Sequence, residues 1–205
     1  MSVSLAESLA LRIASLPREQ RERILREAIK TDAEAYALEY DWRFWARPEQ
    51  LPPPGDWRYW LILTGRGWGK TRTGAEWVRD EVRESRYVNL IGATADDARD
   101  IMIEGESGIL AVCPRAERPE YQPSKRRLEW PNGARSLIFT ADEPERLRGK
   151  QHQRLWGDEL AAWRYPESFD QAMFGLRLPG QSVRALFTTT PKPVKTVRTL
   201  AASSD

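Results

Sequence analysis

Between Trp60 and Val78 the chain reads Trp60-Leu61-Ile62-Leu63-Thr64-Gly65-Arg66-Gly67-Trp68-Gly69-Lys70-Thr71-Arg72-Thr73-Gly74-Ala75-Glu76-Trp77-Val78. A short apolar run of strand length stops at a glycine-rich turn, and helical patterning begins at Lys70-Thr71. Gly65, Gly67 and Gly69 let the backbone wrap closely. Successive N–H groups then point inward at an anion, and the helix N-terminus adds the positive end of its dipole. In such a turn Lys70 reaches the β- and γ-phosphates of a nucleoside triphosphate and the Thr71 hydroxyl sits on Mg²⁺. The strict phosphate-loop pattern has Gly where this chain has Thr64. A dinucleotide fingerprint would need Gly where Lys70 stands, so that reading is dropped. The candidate ATP-binding set in the loop is Gly65, Arg66, Gly67, Trp68, Gly69, Lys70, Thr71 and Arg72, with the Trp68 ring read as packing rather than as an adenine platform.

A loop of this kind sits at the end of a sheet strand, and the rest of the chain supplies the sheet. Tyr87–Gly92, Leu155–Gly157 and Ser182–Thr190 read as further strands alternating with helical segments, a pattern that indicates a parallel sheet between two helical layers. Arg126–Trp130 and Arg135–Phe139 flank Asn132-Gly133, a hairpin signal. The expected fold is an α/β three-layer P-loop NTPase with a mostly parallel central sheet, an inserted β-hairpin and an N-terminal helical lead-in. Residues 1–47 carry the helical patterns: a weak stripe through Leu5, Leu9 and Ile13, then a helix from Ser15 and Pro17 to about Lys30. A third is capped by Thr31 or Asp32 and carries Tyr36, Leu38, Trp42 and Trp45. Pro48, Pro52, Pro53, Pro54 and Gly55 form a connector into the core, placed at 48–205. Hydrophobic residues at 40% and charged residues at 30% suit a soluble globular domain, and the net charge of +2 is too mild to argue for a nucleic-acid partner. A single cysteine, Cys113, excludes a disulfide framework and a multi-cysteine zinc site. No apolar run approaches the ~18 residues of a membrane span.

Asp158-Glu159 ends an apolar strand. In an open parallel sheet the C-terminal strand ends gather at one edge, so this pair faces the glycine loop. Asp158 is then a ligand for Mg²⁺, and Glu159 the base that polarises the attacking water. Thr188-Thr189-Thr190 closes the next strand with three hydroxyls placed to sense a γ-phosphate; plain β-propensity at a strand end explains them equally well. His152, the lone histidine, reads as a loop residue, and Cys113 as inert. Lys125-Arg126-Arg127 reads as a solvated strand edge at least as readily as a DNA contact.

Together these pieces resemble the ATPase half of the large terminase subunit, the DNA-packaging motor of tailed bacteriophages and related prophages. The resemblance covers about residues 44–193. It runs through Trp45-Ala46-Arg47-Pro48-Glu49-Gln50-Leu51-Pro52, Gly55-Asp56-Trp57-Arg58 and the loop. It continues in Trp130-Pro131-Asn132-Gly133-Ala134, Arg148-Gly149, Gly157-Asp158-Glu159 and Thr188-Thr189-Thr190-Pro191-Lys192-Pro193. It implies hydrolysis of ATP with Mg²⁺ to drive double-stranded DNA into a procapsid in the cytoplasm of the bacterial host. The implied partners are the portal protein and the small terminase subunit, and the implied assembly is a homo-oligomeric ring. Gln50 is then the glutamine that contacts adenine. Arg66 and Arg148 compete for the catalytic arginine, with Arg148 acting on a neighbouring subunit's ATP favoured, and Thr188, Thr189 and Thr190 are the coupling motif. The family's nuclease domain is not expected in this chain, nor is DNA cleavage. Two other functions stay open at this point: a helicase-like P-loop remodeller, and a non-hydrolysing assembly fragment.

Overall fold

The computed structural model describes residues 7–178 and 182–203. Its contacts divide the chain into two units, Met1–Pro52 and Pro53–Asp205. The first contains α1 (Leu9–Ala14), α2 (Arg18–Ala28), α3 (Asp32–Glu39), α4 (Trp42–Trp45) and a 3₁₀ turn at Pro48–Gln50. Ser8 caps α1 by accepting the Leu11 N–H at 3.2 Å, and Thr31 and Glu34 form a reciprocal capping box on α3. Two sequence expectations fail here. Pro17 is the N-cap of α2 rather than a first-turn residue, because its extended ψ of 144° leaves it outside the helix. Ser15 instead donates its hydroxyl to the Arg12 carbonyl at 2.8 Å. The third helix also breaks: Tyr40 ends α3, and Asp41 caps α4 by accepting the Arg43 N–H at 3.0 Å.

The second unit is built on one seven-stranded sheet. Its strands are β1 (Tyr59–Leu63), β2 (Val88–Gly92), β3 (Glu120–Gln122), β4 (Arg127–Glu129), β5 (Arg135–Thr140), β6 (Arg154–Gly157) and β7 (Arg184–Thr189), in spatial order β1-β7-β6-β2-β5-β4-β3. From β1 to β5 in that order every pairing is parallel; β5–β4 and β4–β3 are antiparallel. The alternation of side chains along the strands divides the core in two. Ile62, Leu90, Ile138, Trp156 and Leu186 join one apolar cluster, under α5 (Lys70–Glu81) and α6 (Ile109–Val112). Ile91, Phe139, Leu155, Ala185 and Phe187, their neighbours in sequence, join the other cluster. That one packs on α7 (Pro144–Leu147), α8 (Pro166–Gly175) and α9 (Lys195–Ala202). The fold is therefore three-layered, as expected.

The hairpin forms around Asn132-Gly133, where Gly133 takes φ 83° and the Asn132 side chain accepts the Ala134 N–H at 3.0 Å. Its second strand, β5, also pairs with β2, so the hairpin is an extension of the main sheet rather than an appendage. After β2 the sequence predicts a helix capped by Thr94. Thr94 does accept the Asp97 N–H at 3.1 Å, but the segment Asp97–Ile103 is a π-helix. Among the described residues no helix is long and apolar enough to cross a membrane.

Candidate functional site

The parallel register brings three chain segments to one edge of the sheet. Leu63 lies level with Thr189, and Gly157 with Phe187. The residues that follow each strand, Thr64, Asp158-Glu159 and Thr190, consequently emerge side by side. The Thr64 N–H donates to the Thr189 carbonyl at 3.2 Å and carries the pairing one step past β1.

Beyond Thr64 the loop turns on Gly67 (φ 75°) and Gly69 (φ 95°), left-handed conformations that favour glycine. A Cβ added at Gly65 or Gly67 would meet nothing within 4 Å, so the loop backbone is open on that side, as a phosphate cradle requires. Gly69 is the N-cap of α5. Lys70, the first helical residue, is buried; its Nζ donates to Thr64 O at 3.3 Å, Gly65 O at 3.2 Å and Thr190 Oγ1 at 3.2 Å, and lies 3.6 Å from Glu159 Oε1. The ammonium thus sits at the meeting point of all three segments. Arg66 is exposed and makes no hydrogen bond or ion pair among the described residues. Trp68 packs against the α5-side core, consistent with a packing role. Thr71 is half-buried on the first turn of α5, and the Arg72 Nε donates to Glu76 Oε1 at 2.9 Å.

Asp158 is buried, and its Oδ1 accepts the Thr188 hydroxyl at 2.5 Å. Burial pushes its carboxyl up to about 6; the Thr188 bond opposes that rise and the neighbouring Glu159 charge adds to it. Glu159 adopts a left-handed backbone (φ 47°, ψ 48°), a conformation costing a non-glycine residue roughly 1–2 kcal/mol. Several bonds hold it there. The Thr190 N–H and hydroxyl reach the two carboxylate oxygens at 3.3 and 3.1 Å, the Ala162 N–H donates to Glu159 O at 2.7 Å, and the Trp163 indole N–H donates to Asp158 O at 2.8 Å.

The three threonines do not face one target. Thr188 is fully buried against Asp158. Thr189, also fully buried, accepts the Ala161 N–H at 2.9 Å. Only Thr190 joins the cluster of Lys70 and Glu159. Period-two alternation turns Thr189 away from Thr188, and Thr190 lies past the end of β7, where it meets Lys70 and Glu159 instead of Asp158. Arg148 is elsewhere, on the crossover from β5 to β6, with its side chain 68% exposed and paired to the still more exposed Glu145 at 3.1 Å. Gln50 belongs to the N-terminal unit, where its side-chain carbonyl accepts the Arg47 N–H at 3.1 Å. Arg126 and Arg127 are held by Glu143 at 2.6 Å and Glu129 at 2.7 Å, which weakens their case as phosphate ligands. His152 is fully buried rather than in a polar loop; its Nδ1 lies 2.8 Å from the Asn89 amide nitrogen, and burial lowers its pKa to about 4.

Sequence reasoning missed three residues that shape the site. Glu76, 2% exposed, holds Arg72 at 2.7 Å and Arg79 at 3.1 Å. Trp163 bonds the Asp158 carbonyl, and Trp156 donates to Thr188 Oγ1 at 3.0 Å. The two indoles flanking Asp158 were visible as tryptophans, but only the fold shows where their N–H groups go.

The donor chemistry suits a magnesium nucleotide. Among the described residues no three His, Cys, Asp or Glu side chains converge as a metal cage. Thr71, on the first turn of α5, and Asp158, after β6, carry a hydroxyl and a carboxylate, oxygen donors of the kind Mg²⁺ takes alongside water and phosphate.

A strand inserted between the loop strand β1 and the acid-bearing strand β6, over a glycine loop that opens a helix, defines a P-loop NTPase of the additional-strand class. Residues 61–203 match the family described as terminase large subunit, T4likevirus-type, N-terminal, and the chain belongs to that family. No curated protein matches it. Among solved structures, the large terminase of a thermophilic bacteriophage aligns at 16% identity over 76% of this chain and 38% of that one, TM-score 0.52. The same protein in complex with ATP-γ-S aligns at 17% over 75% and 36%, TM-score 0.51. The large terminase ATPase domain of a Thermus phage aligns at 20% over 68% and 61%, TM-score 0.49. The chain thus spans about three fifths of the Thermus phage domain and under two fifths of the longer terminase.

Proposed function

We propose that the chain hydrolyses ATP and that this drives translocation of double-stranded DNA during phage packaging. One observation carries the reading: Lys70 of the glycine loop, Glu159 after β6 and Thr190 after β7 meet within 3.6 Å although they are far apart in sequence. A solvated Asp-Glu turn or a threonine-rich strand end has no reason to converge on a buried lysine.

In this scheme the backbone of Gly65–Gly69 and the N-terminus of α5 bind the phosphates, and Lys70 exchanges its bonds to Thr64, Gly65 and Thr190 for the β- and γ-oxygens. Thr71 and Asp158 would hold Mg²⁺, which would supply charge neutralisation at the phosphates. Glu159, held by Thr190, takes a proton from the attacking water. A γ-phosphate competes with Glu159 for both Lys70 and Thr190, so occupancy of the loop is sensed at the end of β7. That is the coupling step we assign to the Thr188–Thr190 segment. Arg148 completes a neighbouring subunit's site in a ring. The portal protein and small terminase subunit are its partners in the host cytoplasm. The helical segment 1–47 is a lead-in to the ATPase core at 48–205. Family membership supports the packaging role, and a relative that binds ATP-γ-S supports the nucleotide. Steady-state ATP turnover by the purified chain, with and without double-stranded DNA, tests it: DNA-stimulated turnover is expected, and a chain that binds DNA without hydrolysing ATP would be a scaffold instead.

A further inference from the structure

We propose that Trp156 is a positioning residue for Asp158, acting through the Thr188 hydroxyl while its ring is braced against α5. The consequence for nucleotide rests on the function proposed above; the geometry does not. An indole N–H can only donate, and that of Trp156 lies 3.0 Å from Thr188 Oγ1. The hydroxyl that accepts it has one proton left to give. Asp158 Oδ1 is in reach at 2.5 Å, and the Gly157 carbonyl is more distant at 3.4 Å. The ionised carboxylate can only accept, so Thr188 donates to it, and the indole holds the hydroxyl in place by occupying one of its lone pairs. Trp156 and Thr188 are fully buried and Asp158 nearly so, so water does not compete and each bond is directional.

The ring is fixed from its other side as well. A Cβ on Gly74 would overlap Trp156 Cε2 and Cζ2, so the indole fills the space over Gly74, one turn beyond Lys70 on α5. Contacts thus run from the helix that opens with Lys70 and Thr71, through one indole and one hydroxyl, to the carboxylate after β6. Trp77 offers the contrast: its indole N–H is buried in the same core with no partner among the described residues, which is what packing alone produces.

Trp156→Phe keeps a ring over Gly74 and removes the N–H. Thr188→Val removes the hydroxyl at similar volume, and Thr188→Ser restores it. The probe is equilibrium binding of a fluorescent ATP analogue, titrated with Mg²⁺ and repeated without it. Losing a buried hydrogen bond to a charged group is expected to raise the Mg²⁺ needed for half-maximal effect roughly tenfold in Trp156→Phe and in Thr188→Val. The double variant should be no worse than the worse single, Thr188→Ser should resemble the parent, and binding without Mg²⁺ should not change. An unchanged Mg²⁺ response, or equal losses with and without Mg²⁺, overturns the proposal. Should Trp156→Phe fail to fold, the Thr188 pair decides by the same criteria. If the parent binds no nucleotide, the proposed function falls, and the ¹⁵N-labelled indole resonances decide the geometry. The Trp156 signal should move in both Thr188→Val and Asp158→Asn; a signal unmoved in both would mean that the bonded chain is absent.

Discussion

At Glu159 a left-handed backbone coincides with the residue assigned to activate water, and the strain has a measurable sign. In a helix or strand interior Gly is less stable than Ala by roughly 0.5–1 kcal/mol. At φ 47° the order should invert: Glu159→Gly is expected to be more stable than Glu159→Ala by about 1 kcal/mol in denaturant unfolding. An unchanged order would mean that the turn relaxes once the carboxylate is gone. His152 and Asp158 predict a second effect, of opposite signs. His152 is held neutral, its pKa lowered from 6.5 to about 4, so its contribution to stability is present above 6.5 and lost as pH falls toward 4. Asp158 is raised from 3.8 to about 6, so its contribution is present below 3.8 and lost as pH rises through 6. Without Mg²⁺, Asp158→Asn should therefore gain stability over the parent at pH 7.5, on the order of 2–3 kcal/mol, with the gain vanishing near pH 4. His152→Gln should remove a loss that the parent suffers between pH 6.5 and 4. Differential unfolding across that range checks both.

At the scale of elements, α5 is joined to β6 by a close fit. Gly→Ala in a helix interior normally stabilises by up to ~1 kcal/mol. At Gly74 the added Cβ meets the Trp156 indole, so Gly74→Ala should instead destabilise, by about 1–3 kcal/mol, and the penalty should vanish in a Trp156→Leu background. Thermal unfolding of the four chains tests this. The same pair marks the limit of what the sequence makes legible. The loop, its strand and its helix are local and were readable residue by residue, because glycine, lysine and threonine at fixed spacing leave few alternatives. The apolar run before the loop marks β1, which spans Tyr59–Leu63. Strand alternation separates Thr189 from Thr188, but the different partners of Thr188 and Thr190 depend on the neighbouring strands. The indole bonds of Trp156 and Trp163, and the π-helix at Asp97–Ile103, have no local signature. They arise from tertiary packing, which periodicity does not encode.

At the scale of the whole molecule, the question is whether one chain completes a catalytic site. Among the described residues the Arg148 guanidinium has one ion pair, with the exposed Glu145, an interaction worth little in water and easily given up for the trans role proposed above. A trans-acting arginine contributes about 10³–10⁵ in rate in other nucleotide hydrolases. Mixing Arg148→Ala with Glu159→Gln subunits in an assembled ring should then restore activity that neither has alone; silence of every mixture moves the role to Arg66. The most direct test of the central assignment is equilibrium ATP binding paired with steady-state turnover for the parent, Lys70→Ala and Glu159→Gln. In the proposed scheme Lys70 neutralises phosphate charge already present in the bound ground state, whereas Glu159 acts on the water in the chemical step. Binding should be lost in Lys70→Ala, and Glu159→Gln should bind as the parent does while turnover stops; turnover at the parental rate in Glu159→Gln would contradict the assignment.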